Sequence, residues 1–273
     1  MDTQAIIKYF GFTEHPFIIG PDPRFLYFSS NVKESLAKSE FLARDRIGPV
    51  VMSGPIGSGK TTLVKRLKEK LSMDERYNVK LLICPNLKSS NAFLRLILET
   101  FDVKTERSYT ASLKNFETFL IQQYQEGKVP VLLIDEGQYM NRDTLKLIHY
   151  LLNFETNKTK LLQIVLVGQE ELGTKIMHYR ELASRMFPIA MNAMSLHDLK
   201  DMITFRLTVA GHHGDLFEDS DEAYKTLYSY TKGLPRDAIK VCFELLIELI
   251  AQGKKQATAQ QVEEIAKGQN LRL

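Results

Sequence analysis

The stretch Pro49 to Val64, PVVMSGPIGSGKTTLV, decides the fold. It opens on PVVMS, an apolar run of the kind that forms a strand buried on both faces of a parallel sheet. Gly54, Gly57 and Gly59 then permit a tight turn that brings backbone N–H groups toward an anion, and Lys60 and Thr61 open a helical pattern. Strand, glycine turn and helix in this order make a phosphate loop, GPIGSGKT. The residues expected at the nucleotide are Gly54, Pro55, Ile56, Gly57, Ser58, Gly59, Lys60, Thr61 and Thr62. Lys60 is placed to reach the β and γ oxygens and Thr61 to ligate Mg²⁺, so ATP and Mg²⁺ are the expected cofactors.

Working outward, further apolar runs at 79–84, 129–135 and 161–168 alternate with helical patterns at 60–72, 90–101, 111–126 and 142–153, and FPIAM at 187–191 reads as a short fifth strand. This alternation predicts a three-layer α/β/α domain with a parallel sheet. Beyond Ser195 only helical periods remain, at 196–211, 221–231, 235–251 and 258–267, which predicts a smaller all-helical lid. Upstream, Pro16, Pro21 and Pro23 forbid one continuous helix, while Phe12, Phe17, Phe25, Tyr27 and Phe28 want burial. That segment reads as a packed collar, followed by an amphipathic helix over 31–44 with Asn31 as its cap. The expected domains are a collar and helix at 1–45 packed on the ATPase core, the P-loop domain at 46–194 and the lid at 195–273.

Composition narrows the classes rather than choosing one. With 273 residues, 44% hydrophobic and 25% charged, the chain can bury a substantial core. No apolar run is long enough to span a bilayer and MDTQAIIKYF lacks an export signal, so a cytoplasmic protein without a membrane segment is expected. Cys84 and Cys242 lie far apart in sequence, which excludes a disulfide framework or a zinc knuckle built from cysteine alone. The net charge of +3 neither demands nor excludes a nucleic-acid partner.

The chemistry rests on a few further residues. VLLIDE, Val131 to Glu136, carries two carboxylates to the C-terminal tip of a buried strand, where ligands gather in α/β sheets. Asp135 suits an outer-sphere Mg²⁺ carboxylate and Glu136 the base that polarises the attacking water. Gln169, at the end of the next strand in VGQEEL, can hydrogen-bond water or the γ-phosphate. Arg185 in RELASRMFP is placed to project toward a neighbouring subunit's nucleotide as an arginine finger, with Arg180 as the alternative. In GLPRDA, Pro235 at a first helical position fixes Arg236 in the first turn, from which it can clamp the γ-phosphate.

The set GPIGSGKTT, VLLIDEGQ, VGQEEL and GLPR, preceded by PF..GPDPRFLYFS, resembles the AAA+ ATPases grouped around the secretion ATPase ExeA and the transposition regulators TnsC, TniB and MuB. The likeness spans roughly residues 9 to 270. It implies that Lys60, Thr61 and Asp135 hold Mg-ATP, that Glu136 is catalytic, that Gln169 is sensor 1, Arg185 the finger and Arg236 sensor 2, and that Phe25 to Phe28 lie near the adenine. Gly137 stands where Ala is frequent in the group and Glu170 where Pro is frequent. ExeA-type proteins continue into a membrane span and a periplasmic region, and this shorter chain resembles more the transposition regulators, including those of CRISPR-associated transposons. The resemblance then implies an ATPase that forms a homo-oligomeric ring or filament on double-stranded DNA, recruits transposase, connects it to a target-selector protein and disassembles on hydrolysis. The alternative it implies is a secretion-type or other cytosolic ATPase that remodels a protein complex without DNA. In the first case the loops after the second strand would meet DNA phosphates through Lys88, Ser89, Lys104, Thr105, Arg107, Thr110 and Lys114, with little base readout.

Overall fold

In the computed structural model residues 3–20, 22–87 and 89–271 are described; Pro21 and the DNA-contact candidate Lys88 lie outside them. In chain order, α1 (Thr3–Phe10) and a 3-10 turn (Pro23–Phe25) precede α2 (Ser30–Arg44) and β1 (Val50–Ser53). There follow α3 (Lys60–Ser72), β2 (Tyr77–Ile83), α4 (Ser90–Thr100), α5 (Tyr109–Gln125), β3 (Val129–Asp135), a second 3-10 turn (Gly137–Tyr139), α6 (Arg142–Leu151) and β4 (Gln163–Gly168). The chain closes with α7 (Glu170–His178), α8 (Arg180–Ala183), β5 (Phe187–Ala190), α9 (Leu196–Val209), α10 (Ser220–Thr231), α11 (Pro235–Ala251) and α12 (Ala259–Gly268). Among the described residues no helix is long and apolar enough to cross a membrane.

Two compact units emerge, one made of Lys33–Pro55 and Lys60–Met191, the other of Met1–Val32, Ile56–Gly59 and Asn192–Leu273. The first holds a five-stranded parallel sheet in the order β2-β3-β4-β1-β5. Its central strands β3 and β4 are buried along their whole length and mostly apolar, because helices cover both faces. Leu132 and Ile134 of β3 join a core with Phe93, Leu94 and Ile97 of α4, Phe116 of α5 and Ile148 of α6. Val131 and Leu133, displaced by one residue, project from the opposite face of the sheet and are fully buried too. The edge strands are less buried, and Lys80 on β2 pairs at 3.0 Å with Asp102, a charge of the sort that discourages edge-to-edge association.

The second unit is helical. Leu199 and Ile203 of α9, Tyr224 and Leu227 of α10, Leu245 and Leu249 of α11 and Val262 of α12 share one core with Ile6, Phe10, Phe12 and Phe17. The collar, expected with the ATPase core over 1–45, thus falls within the helical unit as far as Val32. Two local features depart from the sequence reading. An amphipathic helix, α1, occupies Thr3–Phe10 with Ile6 and Phe10 buried, because the prolines that break the collar all lie beyond it. The cap of α2 is Ser29, whose Oγ accepts from Val32 N at 3.3 Å. Asn31 lies inside the first turn, where its side-chain oxygen accepts from Asn192 N at 3.3 Å.

Candidate nucleotide site

β1 delivers the chain to a turn that tolerates glycine alone at its first position. A Cβ on Gly54 would stand 2.1 Å from the carbonyl oxygen of Met191, an atom held in place because Met191 N donates to Ser53 O at 2.8 Å. Gly57 and Gly59 adopt φ of 84° and 95°, a region that side chains with a Cβ avoid. Lys60, the first residue of α3, is buried, and its Nζ donates to Gly54 O at 2.8 Å and Pro55 O at 2.7 Å. The ammonium is therefore held inside the curve of the loop by its carbonyls, the position from which a phosphate oxygen would draw it. Thr61 and Thr62 follow, half-buried, in the first turn of α3. These features fit a nucleotide triphosphate: glycines at the close approaches, a buried cation and a helix N-terminus in line. Ile56 at the tip is 57% exposed.

In the helical unit, Pro235 opens α11 as expected, and Arg236 N donates to Gly57 O at 3.3 Å. A Cβ on Gly57 would meet Arg236 Cβ at 2.8 Å, so the loop tip and the start of α11 pack backbone to backbone. The Arg236 side chain is exposed.

β3 is buried along its whole length and ends at Asp135, itself 4% exposed. The strand stops because Glu136 takes left-handed angles, φ 57° and ψ 32°, an arrangement that costs about 1–2 kcal/mol for a residue with a side chain. Glu136 N donates to Asp135 Oδ1 at 2.8 Å, and Gln138 Nε2 donates to Glu136 Oε2. On its other side Gln138 Oε1 accepts from Gln169 N at 3.0 Å. In the sheet β4 lies between β3 and β1, so Gln169 stands between the acidic tip and the start of the phosphate loop. Gln169 is also the N-terminal flanking residue of α7, and Lys175 of that helix donates through Nζ to the carbonyls of Gln138 and, at 3.0 Å, Met140. Sequence reasoning assigned no role to Gln138 or Lys175; the DE-x-Q run was the signal available for the first. Cys84, just beyond β2, is raised by burial to about 11, with the charge of Lys175 opposing the shift.

The other predicted residues sit elsewhere in the hydrogen-bond pattern. Arg185 is exposed and donates to Asn153 Oδ1, and Arg180 is exposed at the start of α8. Ser89 caps α4, its Oγ accepting from Ala92 N at 3.1 Å. Lys104 is exposed and pairs with Glu106 at 3.1 Å. Arg107, Thr110 and Lys114 are exposed and Thr105 is half-buried, in the α4–α5 connection and the start of α5. Phe25 and Leu26 are buried in the collar, Tyr27 and Phe28 partly so.

A phosphate loop after β1 and an acidic tip on β3, in a five-stranded parallel sheet followed by helices, define an AAA+ fold. Residues 44–176 match the AAA domain family. The chain is 32% identical over 253 residues to general secretion pathway protein A of Aeromonas hydrophila, a match covering 90% of this chain and 45% of that protein's length. Solved structures share the fold at lower identity. The ORC2 protein of Aeropyrum pernix aligns with a TM-score of 0.60 at 14% identity, over 87% of this chain and 67% of its own. The RuvB branch migration motor of Thermotoga maritima aligns at 0.58 and 20%, over 90% and 70%. Drosophila ORC bound to DNA aligns at 0.67 and 18%, over 99% and 66%.

Proposed function

We propose that this chain is an ATP-hydrolysing AAA+ protein whose nucleotide cycle remodels a protein complex of the secretion type. The observation that supports hydrolysis is the pairing, within one parallel sheet, of a glycine loop holding a buried Lys60 with a strand tip carrying Asp135 and Glu136. In this reading the loop from Gly54 to Thr62 and Lys60 hold the triphosphate, and Thr61 and Asp135 hold Mg²⁺, which supplies charge neutralisation at the β and γ oxygens when bound. Glu136 orients and deprotonates the attacking water. Gln169 senses the γ-phosphate, Arg236 clamps it, and Arg185 or Arg180 acts across a subunit boundary in a homo-oligomer.

The protein-complex target is supported by the 32% identity to a general secretion pathway protein, at a level of relatedness that the fold neighbours do not approach. Regulation of DNA transposition is the rival reading. It rests on the motif resemblance and on the exposed Lys104, Arg107 and Lys114, one of which is already paired with a carboxylate. The match covers less than half of the secretion relative, so chain length does not discriminate the two.

Filter binding with duplex DNA at low salt, with and without ATP, separates them. The secretion-type reading expects no ATP-dependent retention and no stimulation of phosphate release by DNA. Retention that weakens steeply with salt, and less steeply in an Arg107→Ala or Lys114→Ala variant, would transfer the proposal to DNA.

A further inference from the structure

Gln138 is 9% exposed, two residues beyond the Asp135–Glu136 tip, and both ends of its amide are used. Its Oε1 faces Gln169 N, a backbone N–H that can only donate, so the amide orientation is fixed by chemistry: oxygen toward β4, nitrogen toward Glu136. The side chain thereby spans the gap between the end of β3 and the end of β4.

Close approach makes this possible. A Cβ on Gly168 would meet Gln138 Oε1 at 2.8 Å and its backbone N at 3.0 Å, and a Cβ on Gly137 would meet Leu172 at 3.0 Å and Val167 O at 3.2 Å. The two glycines let the turn after Glu136 settle against the start of α7. Lys175, on the same helix, fixes the backbone from the other side by donating to Gln138 O and Met140 O. Main chain and side-chain oxygen of Gln138 are thus both tied to α7 and its N-terminal flank, while its amide nitrogen donates to the carboxylate of Glu136.

We infer that Gln138 is the positioning residue of the hydrolytic base: it holds the Glu136 carboxylate at a set distance from the strand end that carries Gln169, so that a shift of α7 is passed directly to the base. This rests on the proposed role of Glu136. Glu136 needs such a tie because its left-handed backbone leaves the carboxylate at a turn, where strand pairing does not fix its direction. A carboxylate can use either oxygen and several rotamers, and one donor from a rigid element selects among them.

The test uses the full chain and steady-state ATP hydrolysis. Gln138→Met keeps the volume and removes both hydrogen bonds. Gln138→Glu keeps an acceptor for Gln169 N and replaces the donor to Glu136 with a second carboxylate, which repels it. Both variants are expected to lower kcat by about 10- to 100-fold, the scale on which misplacing a reacting group acts. Their KM for ATP and affinity for a fluorescent ATP analogue should stay near those of the parent. A part that served only to cap Gln169 would leave Gln138→Glu at parental turnover, and that result overturns the inference, as does a kcat loss matched by an equal loss of nucleotide affinity. Glu136→Gln is run alongside. Parental turnover in that variant removes the base assignment itself, and the inference with it. An inactive Glu136→Gln beside a fully active Gln138→Met removes the inference alone.

Discussion

Gly54 sits where β1 runs out and the neighbouring main chain leaves no room for a side chain. Because the atom in the way is the Met191 carbonyl rather than a flexible side-chain end, Gly54→Ala must move the backbone of the loop or of β5's exit. A cost of about 1–3 kcal/mol in urea denaturation is expected, with loss of nucleotide binding. Gly59→Ala meets open space and suffers only from its positive φ, a cost of about 1 kcal/mol. If the two variants were equally stable, the steric reading of Gly54 would fail. The thiols illustrate the same scale by their inertness. Burial raises Cys242 to about 12 and Cys84 to about 11. The thiolate fraction at pH 8 is therefore small, so native protein should resist a disulfide reagent until denatured, when both sites react.

At the scale of elements the most consequential side chain outside the site is Arg206 on α9. It is buried, donates through Nε to Pro16 O at 2.7 Å and through its two terminal nitrogens to Phe25 O at 3.3 Å and Ile18 O at 3.1 Å, and stacks 4.6 Å from the centre of the Phe25 ring. Burial lowers its affinity for its proton, to a pKa of about 10, and it stays charged at neutral pH. The described residues of the collar form little regular structure between α1 and α2, so this one guanidinium supplies donors to the carbonyls of Pro16, Ile18 and Phe25. Arg206→Met should lose about 3 kcal/mol of stability, since the buried carbonyls of Pro16 and Phe25 lose their partner at once. Limited proteolysis should then cut first between residues 12 and 28. A variant as stable and protease-resistant as the parent would show that the collar is held by its aromatics alone.

For the whole molecule, pH and nucleotide are the accessible controls. His15 is buried, its Nδ1 accepts from Phe17 N at 3.0 Å, and its pKa is lowered by burial and then by the charge of Arg206. His212 is lowered by burial, then by His213 and Lys255. A histidine with a depressed folded pKa costs stability as pH falls below the unfolded value of about 6.5, because the unfolded chain takes up the proton first. The unfolding midpoint should drop between pH 7 and pH 5, and the slope should be shallower in His15→Gln. On the proposed function, nucleotide acts in the opposite direction. Mg-ATP at a hundred times its Kd should add about 2.7 kcal/mol, and chelating Mg²⁺ or substituting Lys60→Ala should remove most of the shift in midpoint. No difference between Lys60→Ala and the parent would argue against the phosphate loop as the binding site.

Much of this was legible in the amino-acid order. Strands buried on both faces declare themselves as apolar runs, phosphate loops as spaced glycines before Lys-Thr, and lid helices as a 3.6-residue period, because each is a demand of local backbone and burial. Gly54–Thr61, the Asp135–Glu136 tip and the start of α11 at Pro235 could all be placed in this way. Tertiary structure alone decided the strand order β2-β3-β4-β1-β5, the packing of Phe10, Phe12 and Phe17 among the C-terminal helices, the clamp by Arg206 and the bridge from Glu136 through Gln138 to Gln169. Each joins groups distant in sequence or lying on different elements, and a hydrogen bond across a fold leaves no periodicity in the chain that makes it.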